Sequence, residues 1–198
     1  MAGNGERLWA TAKRTEVFRG RVRVVDHTVV LADGTQMQYE VDESIAFAVA
    51  TLVIENGMAL LTRQYRYPIN RWIYDLPGGA GTAGETPRDA AARELEEEVG
   101  LIPNDLAPLQ TYFVNPGRAA WPVHVFICDA GTQRGVADRS NPAEQVESAR
   151  LRISDLDDAI TSGEITDPTL IIARAAAAVR GRLPPLGKPT CMPPGGTS

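Results

Sequence analysis

The sequence contains few of the residues that build covalently cross-linked or zinc-stabilised scaffolds. Two cysteines, Cys128 and Cys191, occur in 198 residues, and two cannot make a multi-disulfide framework or a four-cysteine zinc site. Cys128 lies in an apolar run, which is typical of a small core residue. The two histidines, His27 and His124, fall in strand-like patterns, and we interpret both as structural.

Positive charge and long apolar segments are also scarce. Lys and Arg number 20 against 25 Asp and Glu, for a formal net charge of −5, whereas nucleic-acid binding requires a basic face. No segment approaches the ~20 consecutive apolar residues of a membrane span, and no apolar secretory stretch follows residues 1–7. Hydrophobic residues still make up 43% of the chain, which is enough for a core. We therefore expect a cytoplasmic protein that binds neither nucleic acid nor membranes.

The patterning predicts three segments. Residues 1–43 alternate apolar and polar side chains around an Asp33-Gly34 turn, which predicts a β-meander with strands at 15–19, 22–26, 27–31 and 36–41. A unit of this size is not stable alone, so we interpret it as an appendage on the main domain or on a partner subunit. Residues 44–181 form the main domain, and the Pro/Gly-rich residues 182–198 are expected to be a disordered tail.

Strands and helices alternate in the main domain. The nearly continuous apolar run at 45–54 predicts a central strand that is covered on both faces. Further strands are predicted at 58–66, 72–76, 110–114, 123–128 and 146–153. Helices are predicted at 87–99, 155–162 and 168–179. No internal repeat or long linker interrupts the domain.

The helix at 87–99 has clear signals at both ends. Thr86 is expected to be the N-cap, Pro87 fits the first helical position, and Asp89 completes the cap. Gly100 is expected to end the helix in a left-handed conformation. The predicted buried stripe repeats every four residues and consists of Ala91, Leu95 and Val99.

Three glutamates crowd one sector of this helix. Glu94 and Glu98 lie one turn apart with Glu97 beside them, and like charges at this spacing repel by a few tenths of a kcal/mol. The helix dipole disfavours negative charge in the last turn as well. Hard divalent cations such as Mg²⁺ would remove the repulsion, because they prefer several carboxylate oxygens. The alternative is an ordinary solvated acidic face, but the preceding glycines allow the backbone to approach a metal-bound pyrophosphate closely: Gly78, Gly79, Gly81 and Gly84.

The residues around this helix resemble a known motif. Gly79, five residues, Glu85, seven residues and then Arg93-Glu94-Leu95-x-Glu97-Glu98-x-Gly100-Leu101 match every fixed position of the Nudix box. The chain therefore resembles the Nudix hydrolases. The resemblance implies an α/β fold, namely an α/β/α sandwich with a mixed β-sheet, to which residues 1–43 add a small antiparallel β appendage. It also implies hydrolysis of a nucleoside diphosphate linked to another moiety, by attack of a metal-activated water on the pyrophosphate.

The resemblance also assigns the metal ligands. Glu94 and Glu98, together with the backbone carbonyl of Gly78, would be the main ligands, and Glu97 would bind a second ion or order the water around it. Mg²⁺ is the expected cofactor, with Mn²⁺ as an alternative. Glu85 and Arg93 would form an ion pair that fixes the loop and aims the ligands.

The general base is expected on the loop before the last strand, as in relatives that hydrolyse ADP-ribose. In this sequence the loop contains Glu144, which is the first choice, and Glu147, which is the second. Glu97 is the alternative from the motif itself. A base must come within hydrogen-bond reach of the attacking water.

Several features resemble the branch that hydrolyses ADP-ribose and other nucleoside diphosphate sugars. They are the N-terminal appendage, the Gln64-Tyr65-Arg66 segment, the proline at position 116 and the helix and turn at 155–167. Arg66 is expected to contact phosphate or ribose, and the other predicted substrate-binding residues are Arg63, Gly79 and Pro116. Because the appendage exchanges between subunits in that branch, a homodimer that binds a small nucleotide is expected. Three aromatic residues could stack on a base or simply pack: Phe18, Tyr39 and Trp72.

The loop after Pro116 departs from the ADP-ribose pattern. Relatives carry a Ser/Thr-rich stretch that ends in glutamate, whereas this chain has Arg118-Ala119-Ala120-Trp121. A GDP-mannose or UDP-sugar pyrophosphatase therefore stays open as an alternative. A non-catalytic Nudix-fold regulator that binds nucleotides is a third hypothesis, which the retained carboxylates disfavour.

Overall fold

The computed structural model describes residues 8–129, 133–134 and 146–187. The strands are β1 Ala10–Arg19, β2 Arg23–Val30, β3 Gln36–Asp42, β4 Ala48–Glu55, β5 Met58–Arg66, β6 Arg71–Asp75, β7 Gly78–Ala80, β8 Leu101–Ile102, β9 Ala107–Tyr112, β10 Val123–Asp129, β11 Gln133–Arg134 and β12 Glu147–Arg152. The helices are α1 Pro87–Val99, α2 Ile153–Ser162 and α3 Pro168–Val179, and a 3₁₀ turn covers Tyr67–Ile69.

The first three strands form a separate antiparallel sheet in the order β1-β2-β3. The Asp33-Gly34 turn forms as predicted, with Gly34 at a φ of 85°. The prediction of two strands at 22–26 and 27–31 is wrong, because β2 is one continuous strand. β2 pairs with β1 and with β3 along its length, and both sets of pairings continue through Asp26 and His27 without interruption. All ten residues of β1 are exposed.

The main sheet is mixed. Its order is β12-β5-β4-β10-β9, with β6 paired to β5 and β7 paired to β4. β4 and β10 run parallel, whereas β5 and β7 run antiparallel to β4. Leu52 and Val53 on β4 are fully buried although they point to opposite faces. The strand that is predicted to be covered on both faces therefore lies at the centre, and the predicted α/β architecture is confirmed.

Helices cover both faces of this sheet. α1 packs through Ala91 and Leu95 against one face, which includes Val53, Leu60 and Phe126. α2 and α3 pack on the other face through a larger cluster that includes Leu52, Leu61, Ile127, Leu156 and Leu170. Cys128 is buried in the first cluster, and burial raises the pKa of its thiol to about 11.

The end of the described chain lies against α2 and α3. Arg174 is fully buried and donates to both carboxylate oxygens of Asp157, at 2.7 and 2.8 Å. Leu183 packs against the larger cluster, and the N–H of Gly187 reaches Asp157 at 3.4 Å. The remainder of the predicted tail, with Cys191, lies outside the described residues. No helix in the described ranges is long and apolar enough to cross a membrane.

Candidate active site

α1 begins and ends at the residues that its capping signals predict. The N–H of Asp89 donates to the Thr86 hydroxyl at 3.2 Å, and Pro87 is the first helical residue. Gly100 ends the helix with a φ of 68°. The buried residues are Ala90, Ala91 and Leu95, whereas Val99 is only partly buried. The acidic face is therefore turned towards the β7 loop.

Glu98 points at the start of β7. Its Oε2 atom accepts a hydrogen bond from the N–H of Gly78 at 2.9 Å, and its Oε1 atom accepts one from Gln64 Nε2 at 3.2 Å. Burial, together with the nearby Glu94 and Asp75 carboxylates, raises the pKa of Glu98 to about 7, although the Gly78 hydrogen bond opposes the shift. Both donors are neutral, so this partly buried carboxylate has no cation in hydrogen-bond contact among the described residues.

Glu94 lies over Gly79, one helical turn before Glu98. A Cβ atom on Gly79 would stand 2.5 Å from Glu94 Oε1, so any other residue there would displace this carboxylate from its position. Gly78 has a similar restriction, because a Cβ there would collide with the backbone of Val49. Burial raises the pKa of Glu94, even though the adjacent Arg93 guanidinium favours the charged form. The two glycines therefore hold the two carboxylates against the backbone.

Arg93 connects the other acidic residues of the motif. Its Nε atom donates to Glu85 at 3.0 Å, and its Nη1 atom donates to Glu94 at 2.8 Å and to Glu97 at 2.9 Å. Glu85 also accepts from the N–H and hydroxyl of Thr82, each at 2.9 Å. Arg93 and then the Thr82 N–H lower the pKa of Glu85 to about 2. The predicted Glu85–Arg93 pair is thus present and fixes the loop to the helix.

The donor set suits a hard divalent cation. Glu94 and Glu98 place carboxylate oxygens next to the backbone of Gly78 and Gly79, and such cations bind carboxylate and carbonyl oxygens. A partly buried pair of carboxylates with raised pKa values is also an arrangement that a cation would stabilise. Glu97 is about half exposed and paired with Arg93. Within the described ranges, no three acidic or histidine side chains already surround a common point, so Glu97 would have to leave Arg93 to join the other two.

Arg66 lies at the end of β5 beside this cluster. Its Nη2 atom donates to Asp75 Oδ2 at 2.5 Å, and its side chain is 44% exposed against 15% for Asp75. Asp167, the N-cap of α3, lies near enough for the charge of Asp75 to influence its ionisation. Burial, followed by the Asp75 carboxylate, raises the pKa of Asp167 to about 6. Arg66 is therefore an exposed guanidinium that is held by a partly buried aspartate, Asp75.

Arg63 and Glu147 form a separate pair. They lie opposite each other on β5 and β12, and Arg63 Nη1 donates to Glu147 at 3.1 Å. The Arg63 guanidinium also stacks over the Trp72 ring at 5.1 Å. Since successive strand residues face opposite ways, Arg63 points away from the face on which Gln64 reaches Glu98. The structure thus does not bring these two residues to the Glu94–Glu98 cluster, and Glu144 lies outside the described residues.

Pro116 lies on the exposed loop between β9 and β10, which rests against the N-terminal sheet. The Tyr39 hydroxyl donates to the Gly117 carbonyl at 2.7 Å, and the N–H of Asp42 donates to the Arg118 carbonyl at 2.7 Å. A cavity of about 360 Å³ lies at this junction and is lined by Asp26, Met37, Gln38, Tyr39, Glu40, Gly117 and Arg118. The appendage and the main domain therefore share a concave surface.

Comparison with known proteins identifies the family. The model of the NUDIX domain matches residues 45–171, which is well over half of the chain and contains all of α1 with its loop. The chain belongs to the Nudix family. Its fold, its motif and the retained carboxylates are those of a Nudix hydrolase, and the identification made from sequence is confirmed.

Relatives and a solved structure resemble most of this Nudix protein. It is 27% identical over 158 residues to an ADP-ribose pyrophosphatase of Bacillus subtilis (strain 168), covering 79% of this chain and 85% of the relative. It is 29% identical over 165 residues to a methanol dehydrogenase activator of Bacillus methanolicus, covering 82% and 89%. The crystal structure of an ADP compounds hydrolase has the same fold, with a TM-score of 0.76, 20% identity and coverage of 90% of this chain and 99% of that one.

Three residues of the Nudix site were not predicted from sequence. Gln64 contacts Glu98, Asp75 accepts a hydrogen bond from Arg66, and Asp167 is near enough to both for their charges to influence its pKa. Asp167 precedes Pro168, which is an N-cap signal, and Asp75 ends a strand just before the glycine loop. Both signals are local, and neither indicates that the two residues belong to one part of the fold.

Proposed function

We propose that this protein is a divalent-metal-dependent hydrolase of ADP-ribose or a related nucleoside diphosphate sugar, which releases a nucleoside monophosphate and a sugar phosphate. The observation that carries the proposal is the convergence of Glu94 and Glu98 on the Gly78–Gly79 backbone. Two partly buried carboxylates with raised pKa values are costly to ionise unless a cation joins them. The presence of both motif carboxylates in this chain supports a catalytic role over that of a protein that only binds nucleotides.

Glu94, Glu98 and the Gly78 carbonyl would hold the cation, with Glu97 as a further ligand once it leaves Arg93. Nudix hydrolases generally use divalent metal ions, and the all-oxygen donor set favours Mg²⁺, with Mn²⁺ as an alternative. When bound, such an ion neutralises charge on the phosphate oxygens and lowers the pKa of water. Arg93 and Glu85 keep the loop in register with the helix, and Arg66 offers its exposed N–H groups to a phosphate oxygen.

The proton of the attacking water requires a carboxylate from this chain. Glu144 is the first candidate because it precedes β12, and Glu97 is the second because it is partly exposed beside the two buried glutamates. Glu147 is the weakest candidate, since it pairs with Arg63, which points to the face of the sheet opposite to Glu98. Each of the three glutamates would be replaced by glutamine in turn. The variant that lacks the general base should lose about 10²–10⁴-fold in kcat, and the other two should not.

The proposed substrate class is supported by two observations. A relative that aligns over most of both chains is an ADP-ribose pyrophosphatase. The cavity beside Tyr39 also offers an aromatic ring, carboxylates and backbone groups to a nucleoside. A GDP-mannose or UDP-sugar substrate is the second candidate, because Arg118 and its neighbours place no carboxylate at the loop that lines this cavity.

A hydrolysis screen tests the proposed function. Purified protein with Mg²⁺ would be given ADP-ribose, GDP-mannose, UDP-glucose, coenzyme A and nucleoside triphosphates, and released monophosphate would be measured by chromatography. The proposal expects the highest kcat/KM with ADP-ribose or another nucleoside diphosphate sugar, and no turnover in EDTA. Faster hydrolysis of triphosphates, or no hydrolysis of any compound, would contradict it.

We also propose that the N-terminal appendage, residues 1–43, mediates a homodimer through its three-stranded sheet. Its apolar side chains are unusually open to solvent, with Trp9 at 47%, Val17 at 55% and Phe18 at 56% exposure. Exposed large apolar side chains spread along one edge strand are compatible with a protein interface. Light scattering after size-exclusion chromatography should give twice the chain mass, and Phe18→Arg should shift it towards one chain.

A further inference from the structure

The two oxygen atoms of the Glu98 carboxylate are held by two different strands. Oε2 accepts from the N–H of Gly78, the first residue of β7, at 2.9 Å. Oε1 accepts from the Nε2 atom of Gln64, on β5, at 3.2 Å. Gly78 lies opposite Ala50 of β4, whereas Gln64 lies opposite Ile73 of β6. The two donors therefore belong to different ladders of the main sheet, and the carboxylate of α1 lies between them.

Gln64 is the variable member of this arrangement. The Gly78 donor is a backbone N–H, which the fold supplies whatever the side chain. Gln64 is half-buried, and it is the only side chain in the described part of the chain that donates a hydrogen bond to Glu98. The residue type at position 64 therefore decides whether Oε1 has a partner and what charge that partner carries.

The donors to the motif carboxylates differ in charge. The Arg93 guanidinium donates to Glu94 at 2.8 Å and to Glu97 at 2.9 Å, whereas the Gln64 amide is neutral. A cationic donor makes a hydrogen bond about twice as strong as a neutral one, but it also offsets part of the carboxylate charge. A neutral donor holds the carboxylate and leaves that charge available to a metal ion. A carboxylate accepts at about four lone-pair sites, so two hydrogen bonds leave room for coordination.

We propose that Gln64 is a positioning residue that holds Glu98 for a divalent cation, and that its amide must be neutral to do so. The inference rests on the proposed function, in which Glu98 is a metal ligand. Carboxylates that bind metals are themselves held by hydrogen bonds, and loss of such a partner weakens metal affinity by about 10–100-fold. A side chain without a donor would leave Oε1 unsupported, and a cationic side chain would compete with the ion for the carboxylate charge.

Two substitutions of Gln64 separate positioning from packing. Gln64→Met keeps an unbranched side chain but removes the donor, so the Kd of Mn²⁺ should rise by about tenfold or more. Gln64→Lys supplies a charged donor, which should also raise the Kd of Mn²⁺ by about tenfold or more. The same ammonium should pair with Glu98 in the metal-free protein and raise its Tm in EDTA by about 2 °C. A residue that only fills space would not weaken metal binding while it stabilises the fold.

Metal affinity and stability would be measured without substrate. Free Mn²⁺ would be followed by electron paramagnetic resonance at pH ~8, above the Glu98 pKa of about 7, and Tm would be measured by calorimetry in EDTA at the same pH. Gln110 is a half-buried glutamine on β9 of the same sheet. The matched controls Gln110→Met and Gln110→Lys should keep the Kd of Mn²⁺ within about twofold of the wild type.

A double variant shows whether Gln64 acts through Glu98. In a Glu98→Gln background the carboxylate charge is gone, so adding Gln64→Lys should no longer raise the Tm in EDTA. A Tm gain that persists in this background would overturn the contact on which the inference depends. Gln64→Lys and its double variant carry the test alone if Gln64→Met does not fold.

The outcomes distinguish the positioning role from the proposed function. If the wild type binds Mn²⁺ and hydrolyses a compound of the screen, a Kd within about twofold of wild type in Gln64→Met overturns the positioning role and leaves the proposed function intact. A wild-type Kd in Gln64→Lys overturns the requirement for a neutral donor. A wild-type protein that binds no Mn²⁺ and hydrolyses no compound of the screen overturns the proposed function and this inference with it.

Discussion

Replacing Glu98 by glutamine should stabilise the metal-free protein while removing its activity. Burial places the pKa of this carboxyl at about 7, against a usual value of 4.5. Well above pH 7, that difference means that the ionised group destabilises the fold by about 3 kcal/mol. Glutamine carries no charge and keeps an oxygen that can accept from the N–H of Gly78. The variant should therefore gain up to about 3 kcal/mol in free energy of unfolding.

The gain from this substitution must depend on pH. Because the folded-state pKa is raised, the folded chain binds the Glu98 proton more tightly than the unfolded chain between pH 4.5 and about 7. The contribution of the Glu98 carboxyl to the wild-type free energy of unfolding is therefore fully present below pH 4.5. It is lost as the pH rises from 4.5 to about 7. Urea denaturation in EDTA at pH ~5 and pH ~8 should show a variant-minus-wild-type difference that is small at the lower pH and large at the higher.

The same variant must lose turnover by orders of magnitude when Mg²⁺ is present. Since a ligand of the folded state stabilises by about 2.7 kcal/mol at one hundred times its Kd, Mg²⁺ should raise the Tm of the wild type but not of Glu98→Gln. Glu96→Gln, at an exposed position of the same helix, is the control and should alter neither property. A Glu98→Gln variant that is less stable than wild type at both pH values, or that turns over at the wild-type rate, refutes the reasoning.

Three other substitutions or modifications test separate parts of the structure. In Gly79→Ala the new Cβ would stand 2.5 Å from the Glu94 carboxylate, so kcat should fall by about tenfold or more with little change in Tm; an unaltered kcat would show that Glu94 can move freely. In Asp157→Asn the fully buried Arg174 loses its counter-charge, and urea denaturation should show a loss of about 3 kcal/mol or more, whereas a loss below about 1 kcal/mol would contradict the burial argument. The pKa of about 11 for Cys128 means that iodoacetamide at mildly alkaline pH should label it in unfolded but not in native protein, and equal labelling by mass spectrometry would refute that prediction.

The elements of the site that sequence predicts are those with local signals. The bounds of α1 depend on Thr86, Pro87 and Gly100, which act within one turn of the helix ends. The shared face of Glu94 and Glu98 follows from helical spacing alone. The family motif then predicts the α/β fold, although the motif contains only a small part of the residues that form that fold.

The residues that sequence misses are brought together by distant pairings. The β5–β6 register sets Asp75 opposite Thr62, which puts the Asp75 and Arg66 side chains on the same face and within hydrogen-bond reach. Asp167 caps α3 far along the chain from Asp75, yet the Asp75 carboxylate is near enough to raise its pKa. The placement of Glu147 beside Arg63 likewise depends on the β5–β12 register. A shift of one residue in that register would turn the glutamate to the other face, and no local pattern specifies which register forms.

The charges of the motif explain why Glu98 is the residue at which activity and stability oppose each other. Glu85, Glu94 and Glu97 all contact Arg93, whose guanidinium offsets part of their mutual repulsion. Glu98 receives only neutral donors from the described residues and is buried beside Glu94. α1 has no basic residue in its last turn to offset this charge. An added cation would therefore stabilise the site most strongly at Glu98, since that carboxylate bears the largest uncompensated cost of ionisation in the motif.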